Sequence, residues 1–391
     1  MLDNDFYKFS MMQAIFHRFP DVNVEYELKV RNHPGELLRD LVLQIEKEVV
    51  HLCTLRFDSG ELAYLRNFPW LTENFIEYLR LFQLNPDYIK VYYDETPGYY
   101  GNFRVSVSGS WLNTILFEVP VLAIVSELLS GKLEMNLGGC GSMGISNLKT
   151  NVELVRSMGC SSSPYFTITD FGTRRRYSRK WQDMAIENYK ALLPVVFIGT
   201  SNVYFARKHR LTPIGTQAHE WFMAHQALTR VADSQKLALE NWVQEYRGRL
   251  GIALTDTIGM GPFLKDFDLY FAKLFDGCRW DSGDAYDWTR QLVSHYKRFN
   301  IDPHLKTAVY SDKVNFAYAV ELYRAFHDQI ETSFGIGTAI TNDVGIVAPQ
   351  IVMKMTKCNS RPVAKVSDSE GKSMCPDEDY VRYLRQQFGV K

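Results

Sequence analysis

Six cysteines in 391 residues (Cys53, Cys140, Cys160, Cys278, Cys358 and Cys375) lie far apart, and no C-x-x-C pair occurs. That spacing argues against a disulfide framework or a cysteine zinc site and predicts reduced thiols and a cytoplasmic protein. Charge of one sign is also missing: 44 Lys plus Arg stand against 45 Asp plus Glu, a formal net charge of -1. Neither nucleic acid nor an anionic membrane is expected as the main partner. No apolar run approaches transmembrane length, and the first residues, Met1-Leu-Asp-Asn-Asp5, are acidic, so no signal peptide is expected. No lysine follows Gly138-Gly-Cys-Gly-Ser-Met-Gly144 in Walker spacing, and no G-x-S-x-G elbow or cysteine–histidine signature supports acyl transfer.

What is present is an ordinary globular composition, 46% hydrophobic and 23% charged, in a chain long enough for two domains or a barrel with an added layer. Residues 1–130 read as a mixed α/β section. Helical periodicity covers Tyr7 to His17 and Glu36 to Thr54, Phe103 to Gly109 alternates like a strand, and Trp111 to Leu129 reads as a long, largely buried helix. Asp58-Ser-Gly-Glu61 starts a helix to Phe68. The Gly- and Ser-rich residues 131–164 read as a connecting segment.

From Tyr165 a rhythm sets in: seven short apolar runs, each ending in a polar tip and followed by a helical stretch. The runs are Phe166-Thr-Ile-Thr, Val195-Val-Phe-Ile, Leu211-Thr-Pro-Ile, Gly251-Ile-Ala-Leu, the segment to Arg279, Thr307-Ala-Val-Tyr and Thr332-Ser-Phe. Alternation of this length implies a parallel sheet, and polar strand ends fit a (β/α) barrel over 165–347 with its site at the C-terminal rim. A doubly wound open sheet is the alternative. After Val347, Ile351 to Thr356 and Pro362 to Val366 flank Asn359-Ser360 as a hairpin, so 348–391 is expected to rejoin the first section.

The tips carry the chemistry. In Gly215-Thr-Gln-Ala-His219-Glu-Trp221, a helix capped by Thr216 would hold His219 in its first turn, where the helix dipole favours an anion and a neutral imidazole suited to carrying a phosphoryl group. His219 and His225 do not form a zinc pair, because six residues turn a helix by about 600° and leave the side chains roughly 120° apart. Arg279-Trp-Asp281-Ser-Gly-Asp284 sets a guanidinium beside two carboxylates, able to hold a substrate carboxylate, Mg²⁺ through water, or a developing cation; an internal ion pair capping a helix is the plainer reading. Three arginines in Asp170-Phe-Gly-Thr-Arg174-Arg175-Arg176 suit a polyanion or carboxylate, with Phe171 able to stack on a planar ring. Gly335-Ile-Gly337-Thr338 comes where barrels often bind phosphate, and Ser311-Asp312 could hold ribose hydroxyls.

Taken in order, Asp3-Asn-Asp5-Phe-Tyr7-Lys8, Asp170 to Arg176, Gly199-Thr-Ser-Asn202, Gly215 to Trp221, Asp281 to Asp284 and Phe334 to Thr338 closely resemble the nicotinate phosphoribosyltransferases, over nearly the whole chain. The nicotinamide and quinolinate enzymes of type II are looser relatives, and the paired acidic strand end of type I enzymes is not found. The resemblance implies an irregular α/β barrel with an N-terminal α/β domain completed by the C-terminal hairpin. It implies formation of nicotinate mononucleotide and pyrophosphate from nicotinate and phosphoribosyl pyrophosphate, coupled to ATP through a phosphohistidine at His219, with Mg²⁺. By the same match, Tyr7 and Phe171 sandwich the pyridine ring, and Arg174 and Arg279 surround its substituent and the phosphates. Asp281 lies near the ribose, Asp256 near the phosphohistidine, and Thr173, Arg175, Ser311, Asp312, Gly335, Gly337 and Thr338 near the phosphoribosyl group. A monomer or homodimer acting on small molecules is expected. Trp280, Ala285 and Lys313 depart from the family pattern, which more often has histidine, proline, and asparagine or glycine there. A nicotinamide-specific enzyme and an inactive phosphate-ligand sensor are the alternatives.

Overall fold

The computed structural model describes residues 1–32, 36–135, 140–163, 165–367 and 375–390. Among the described residues, twelve strands form two sheets: β1 (Asn23–Val30), β2 (Ile89–Gly98), β3 (Gly101–Ser110), β4 (Phe166–Asp170), β5 (Phe197–Thr200), β6 (Thr212–Pro213), β7 (Ile252–Leu254), β8 (Gly277–Trp280), β9 (Thr307–Tyr310), β10 (Glu331–Ile336), β11 (Ile351–Cys358) and β12 (Arg361–Pro362). The antiparallel sheet has the order β12-β11-β1-β3-β2, and the parallel sheet β6-β5-β4-β10-β9-β8-β7.

In the antiparallel sheet, period-2 patterning decides which face is covered. Val24, Tyr26 and Leu28 of β1 and Phe103, Val105 and Val107 of β3 are buried, whereas Glu25 and Glu27 are not. The C-terminal hairpin joins this sheet by pairing β11 with β1. Asn359 and Ser360, both at positive φ (46° and 62°), form its turn, as a two-residue hairpin loop requires.

All seven apolar runs become β4–β10, each adjacent pair parallel. The sheet curls without closing by a strand ladder, because β6 and β7 are its edges. Side chains bridge that gap: Thr216 Oγ1 and Gln217 Nε2 donate to the Ile252 carbonyl at 2.8 and 3.3 Å. Helix Phe6–Arg18 covers the seam, with Ser10 Oγ donating to the Thr216 carbonyl at 2.6 Å.

Three sequence expectations need correction. First, residues 140–157 are a helix, not a connecting loop; residues 136–139 fall outside the described residues. Gly144 lies so close to the Trp181 indole that a Cβ there would sit 2.2 Å from it, so this glycine permits helix packing rather than a turn. Second, the periodic stretch from Glu36 is two helices, Glu36–Arg39 and Val42–Thr54. Third, a run of membrane-spanning length does exist: Trp111–Glu134 is helical and apolar enough over 24 residues. It is 72% buried inside the protein, packed in the main core with Leu116, Val121, Val125 and Leu129.

Candidate active site

The C-terminal ends of the parallel strands converge on His219. Its ring Nε2 lies 2.9 Å from Asp256 Oδ1, two residues past β7, and 3.5 Å from Asp281 Oδ2, immediately past β8. Ser282 Oγ donates to Asp256 Oδ2 at 2.5 Å, and Ser311 Oγ donates to Asp281 Oδ1 at 3.1 Å. Asp256 is sealed at 1% exposure, while the Asp281 side chain remains 28% exposed. One carboxylate is therefore sealed against the histidine, and the other is also open to solvent.

The helix carrying His219 starts at His219 itself, with Ala218 as its N-cap and no side-chain cap. Thr216 is not the cap; its hydroxyl crosses the barrel seam instead. The histidine is nonetheless neutral. Burial pushes its pKa down to about 4, aided by the nearby Lys365 ammonium and opposed by Asp256. A neutral ring donating Nε2–H to Asp256 keeps its lone pair on Nδ1.

Lys365, on the segment after β12, completes the cluster at 2.6 Å from Asp256 Oδ2 and 3.8 Å from Asp281 Oδ2. The segment is held to the rim by Val366 N–H to the Thr257 carbonyl and by a two-way amide exchange between Gln226 and Ala364. Burial alone would raise the Asp256 carboxyl, but Lys365 and His219 hold it well below the usual range; Asp281 is lowered by the same contest. Lys354 on β11 is pushed down to about 7 by burial, then by Lys365 and Arg31. Arg175 falls to about 10 through burial and Arg174, with Arg31, Asp281 and Asp312 also in range. Burial is the larger cause for both, and neighbouring cations add to it, so several positive groups share one buried locus.

An anion entering there restores the charge on Lys354. Binding of a polyanion there, with inorganic pyrophosphate as the probe, is thus expected to take up a proton near pH 7, with affinity falling as pH rises above about 7. Titration calorimetry in buffers of different ionisation enthalpy measures that uptake, and Lys354→Met should remove it.

Beside Arg174, Tyr7 is buried, and its hydroxyl is among the buried polar atoms with no hydrogen-bond partner. The Arg174 guanidinium lies 5.9 Å from its ring centroid and pairs with Glu118 at 3.3 Å. Arg176 is not part of this face: it is buried, forks onto Asp3 (2.8 and 3.0 Å) and pairs with Glu127, anchoring the arm that carries Tyr7. Phe171 packs on Gly335, where a Cβ would come within 2.2 Å of its ring, and its N–H donates to the Ile336 carbonyl. Phe171 therefore adjoins the Gly335-Ile-Gly337-Thr338 tip, in which Gly337 and Thr338 are half-buried. Thr173 is fully buried, its hydroxyl accepting from Gln182 and Asn202, so its side chain supports the loop from beneath.

Strand alternation separates Arg279, half-buried, from Trp280, which packs against Tyr310 and Tyr318 of the helix side. Asp284 caps helix Ala285–Arg298 by accepting from Asp287 N–H at 2.7 Å. Ala285 is the first helical residue, where proline is equally at home. Lys313 is exposed and left-handed (φ 52°). His225 is fully buried, Nδ1 facing the Trp221 carbonyl and Nε2 the Asn241 amide, well apart from His219's partners.

Sequence reasoning missed Lys365, Lys354, Arg31, Lys8 and Glu118. A lysine inside an apolar run, as in Pro362-Val-Ala-Lys365-Val366, is a usable signal, since lysines are seldom buried without a partner.

The chain matches two family models, the nicotinate phosphoribosyltransferase N-terminal domain over residues 2–126 and the nicotinate phosphoribosyltransferase family over 166–391. It is 46% identical to the nicotinate phosphoribosyltransferase of Cupriavidus necator, covering 100% of this chain and 98% of that protein. Identity to the Chromobacterium violaceum protein of the same name is 47%, over 100% and 96%. The crystal structure of nicotinate phosphoribosyltransferase from Vibrio cholerae superposes with a TM-score of 0.93 at 38% identity, over 100% and 93% of the two chains. With the fold and both halves of the sequence in agreement, this chain belongs to the nicotinate phosphoribosyltransferase family.

Proposed function

We propose that the protein joins nicotinate to C1 of phosphoribosyl pyrophosphate, releasing pyrophosphate, and couples this to ATP hydrolysis through a phosphohistidine at His219, as the first step of NAD salvage from nicotinate. The observation that carries the reading is the neutral His219, held through Nε2 by Asp256 beside a half-exposed Asp281, under a set of cations in excess.

The pyridine nitrogen lone pair forms the new bond to C1 as the C1–O bond to pyrophosphate breaks. Positive charge grows on the ribose and negative charge on the leaving group. Asp281 stabilises the first, and Lys365, Lys354, Arg31 and Arg175 the second, with no protein nucleophile on the sugar. Arg174 and the unpartnered Tyr7 hydroxyl face the nicotinate carboxylate, with Phe171 as the other wall. In the ATP half-reaction, Nδ1 attacks the γ-phosphorus and ADP leaves; water later takes the phosphoryl group, returning the lone pair to Nδ1. Asp256 holds the Nε2 proton throughout.

His219, Asp256 and Asp281 bring three ligand atoms within 4.8 Å of one another. Lys365 already pairs with Asp256 at 2.6 Å and stands 3.8 Å from Asp281, and this resident cation disfavours a metal ion in the same place. The residues fit Mg²⁺ arriving on substrate phosphates: Asp281, with the exposed Asp284, would hold it through water, and the ion would supply positive charge against the pyrophosphate.

The test is direct. Incubation with nicotinate, phosphoribosyl pyrophosphate, Mg²⁺ and ATP is expected to yield nicotinate mononucleotide, and no product rejects the proposal. Arg174 at the ring pocket favours the acid over nicotinamide, which competition between the two checks. Trp280 turned to the helix side and Lys313 exposed to solvent give the inactive-sensor reading no support.

A further inference from the structure

A chain of alternating charge runs inward from the partly exposed Arg174 to buried residues. Arg174 Nη1 lies 3.3 Å from Glu118 Oε1, and Glu118 Oε2 lies 2.5 Å from Lys8 Nζ. Lys8 Nζ also pairs with Glu220 Oε2, while Tyr26 Oη and Trp111 Nε1 both donate to Glu220 Oε1 at 3.1 and 2.9 Å. Lys8 is fully buried, Glu118 and Glu220 nearly so. The two ends are informative. Glu220 follows His219 directly in the first turn of its helix. Lys8 follows Tyr7, its Nζ 5.7 Å from the Tyr7 ring centroid, and Arg174 stands over the same ring.

We propose that Lys8, shared between Glu118 and Glu220, is a positioning residue that transmits the phosphorylation state of His219 to the ring pocket formed by Tyr7 and Arg174. This rests on the phosphohistidine reading above. A phosphoryl group on Nδ1 brings about -1.5 to -2 charges beside the helix start that holds Glu220. The added charge draws the Lys8 ammonium toward Glu220. Glu118 then loses part of its cation and leans more heavily on Arg174. Both consequences alter the ring pocket: Lys8 moves with Tyr7 on the same helical turn, and Arg174 changes its grip on Glu118. Lys8, Glu118 and Glu220 lie in a buried, low-dielectric medium, so this redistribution is felt along them as far as the Glu118 pair with Arg174. None of the three linking residues touches the reacting atoms, which distinguishes their effect from catalysis.

The experiment compares the nicotinate KM without and with ATP. In the unmodified enzyme the ratio is expected within the range of about 5–150 usual for coupled sites. Lys8→Met alone leaves two buried carboxylates unpaired and risks misfolding. The informative variant is therefore Lys8→Met/Glu118→Gln/Glu220→Gln, which neutralises the chain at similar volume. It is expected to keep its thermal midpoint within a few degrees and its acid-labile phosphorylation at His219, while the KM ratio collapses toward one with a smaller change in kcat. Lys8→Arg should restore most of the ratio. Three outcomes separate the ideas. A neutralised variant that folds, phosphorylates and keeps the full ratio overturns the proposal. A variant that cannot fold while Lys8→Arg keeps the ratio at one overturns it as well, since the conservative cation should rescue. No phosphohistidine in the unmodified enzyme removes the reading beneath it instead.

Discussion

His219→Ala is expected to lower ATP hydrolysis by more than about 10³-fold, the order seen when an enzyme loses a group that carries the covalent intermediate. Phosphoribosyl transfer without ATP should fall far less, because the alanine removes a partner of Asp281, 3.5 Å away, but leaves the Asp281 carboxylate and the surrounding cations in place. The prediction follows from which ring atom is available. Nε2 faces two carboxylates, at 2.9 and 3.5 Å, so Nδ1 keeps the lone pair. With the pKa near 4, that lone pair is present across the neutral range and is lost by protonation only in acid. His225 cannot substitute: both its nitrogens are engaged and it is sealed in an aromatic cluster with Phe19 and Trp221. The measurement is γ-phosphate release together with acid-labile phosphate on the protein. Asp256→Asn provides the companion result. An amide in place of the carboxylate can present its N–H to Nε2 and favour the wrong tautomer, so phosphorylation should fall by about 10²-fold or more, in line with triad carboxylates elsewhere. ATP turnover unchanged in His219→Ala would place the phosphoryl chemistry at another residue.

What the sequence made legible was the rim of the barrel, and the reason is periodicity. A parallel strand four or five residues long, buried on both faces, reads as an apolar run, and the first polar residue after it is the tip. Asp256, Arg279 with Asp281, Ser311 and Gly335 were all visible that way because each stands at or just beyond its strand's end. Groups entering from other layers were not visible. Lys354 and Lys365 come from the hairpin arms of the antiparallel sheet, far from His219 in sequence, and only the tertiary return of β11 brings them to the cluster. Lys8 and Glu118 sit in helices whose pattern reads as core, and their charges make sense only as a pair. Local signals also misled where packing overrode them. Thr216 looks like a cap but closes the seam between β6 and β7, and Gly144 looks like a turn but receives an indole. Trp280 looked like a disturbance of the catalytic tip, yet strand alternation turns it toward Tyr318.

Asp281→Asn is the second large effect, and it falls on transfer rather than on ATP. The substitution preserves shape and the Ser311 hydrogen bond to Oδ1 while removing the negative charge. Of the two carboxylates beside His219, Asp256 is sealed and neutralised by Lys365 at 2.6 Å, whereas Asp281 is partly open and stands farther from that ammonium, at 3.8 Å. The more open charge, 28% exposed, is the one presented to a cation growing at C1. Loss of a preorganised electrostatic group of this kind costs about 3–4 kcal/mol, or roughly 10²–10³ in kcat. The KM for phosphoribosyl pyrophosphate should not rise. Removing an anion from a locus already rich in cations strengthens its pull on the substrate's phosphates, so KM is expected to stay level or fall. That split, kcat down with KM level or lower, marks an interaction made mainly in the transition state. Ser311→Ala, which only releases one hydrogen bond to Asp281, should cost less than about tenfold. Single-turnover rates at saturating substrate, compared across the two variants, give the result. A kcat for Asp281→Asn close to the unmodified enzyme would mean that the ribosyl charge is stabilised elsewhere on the rim.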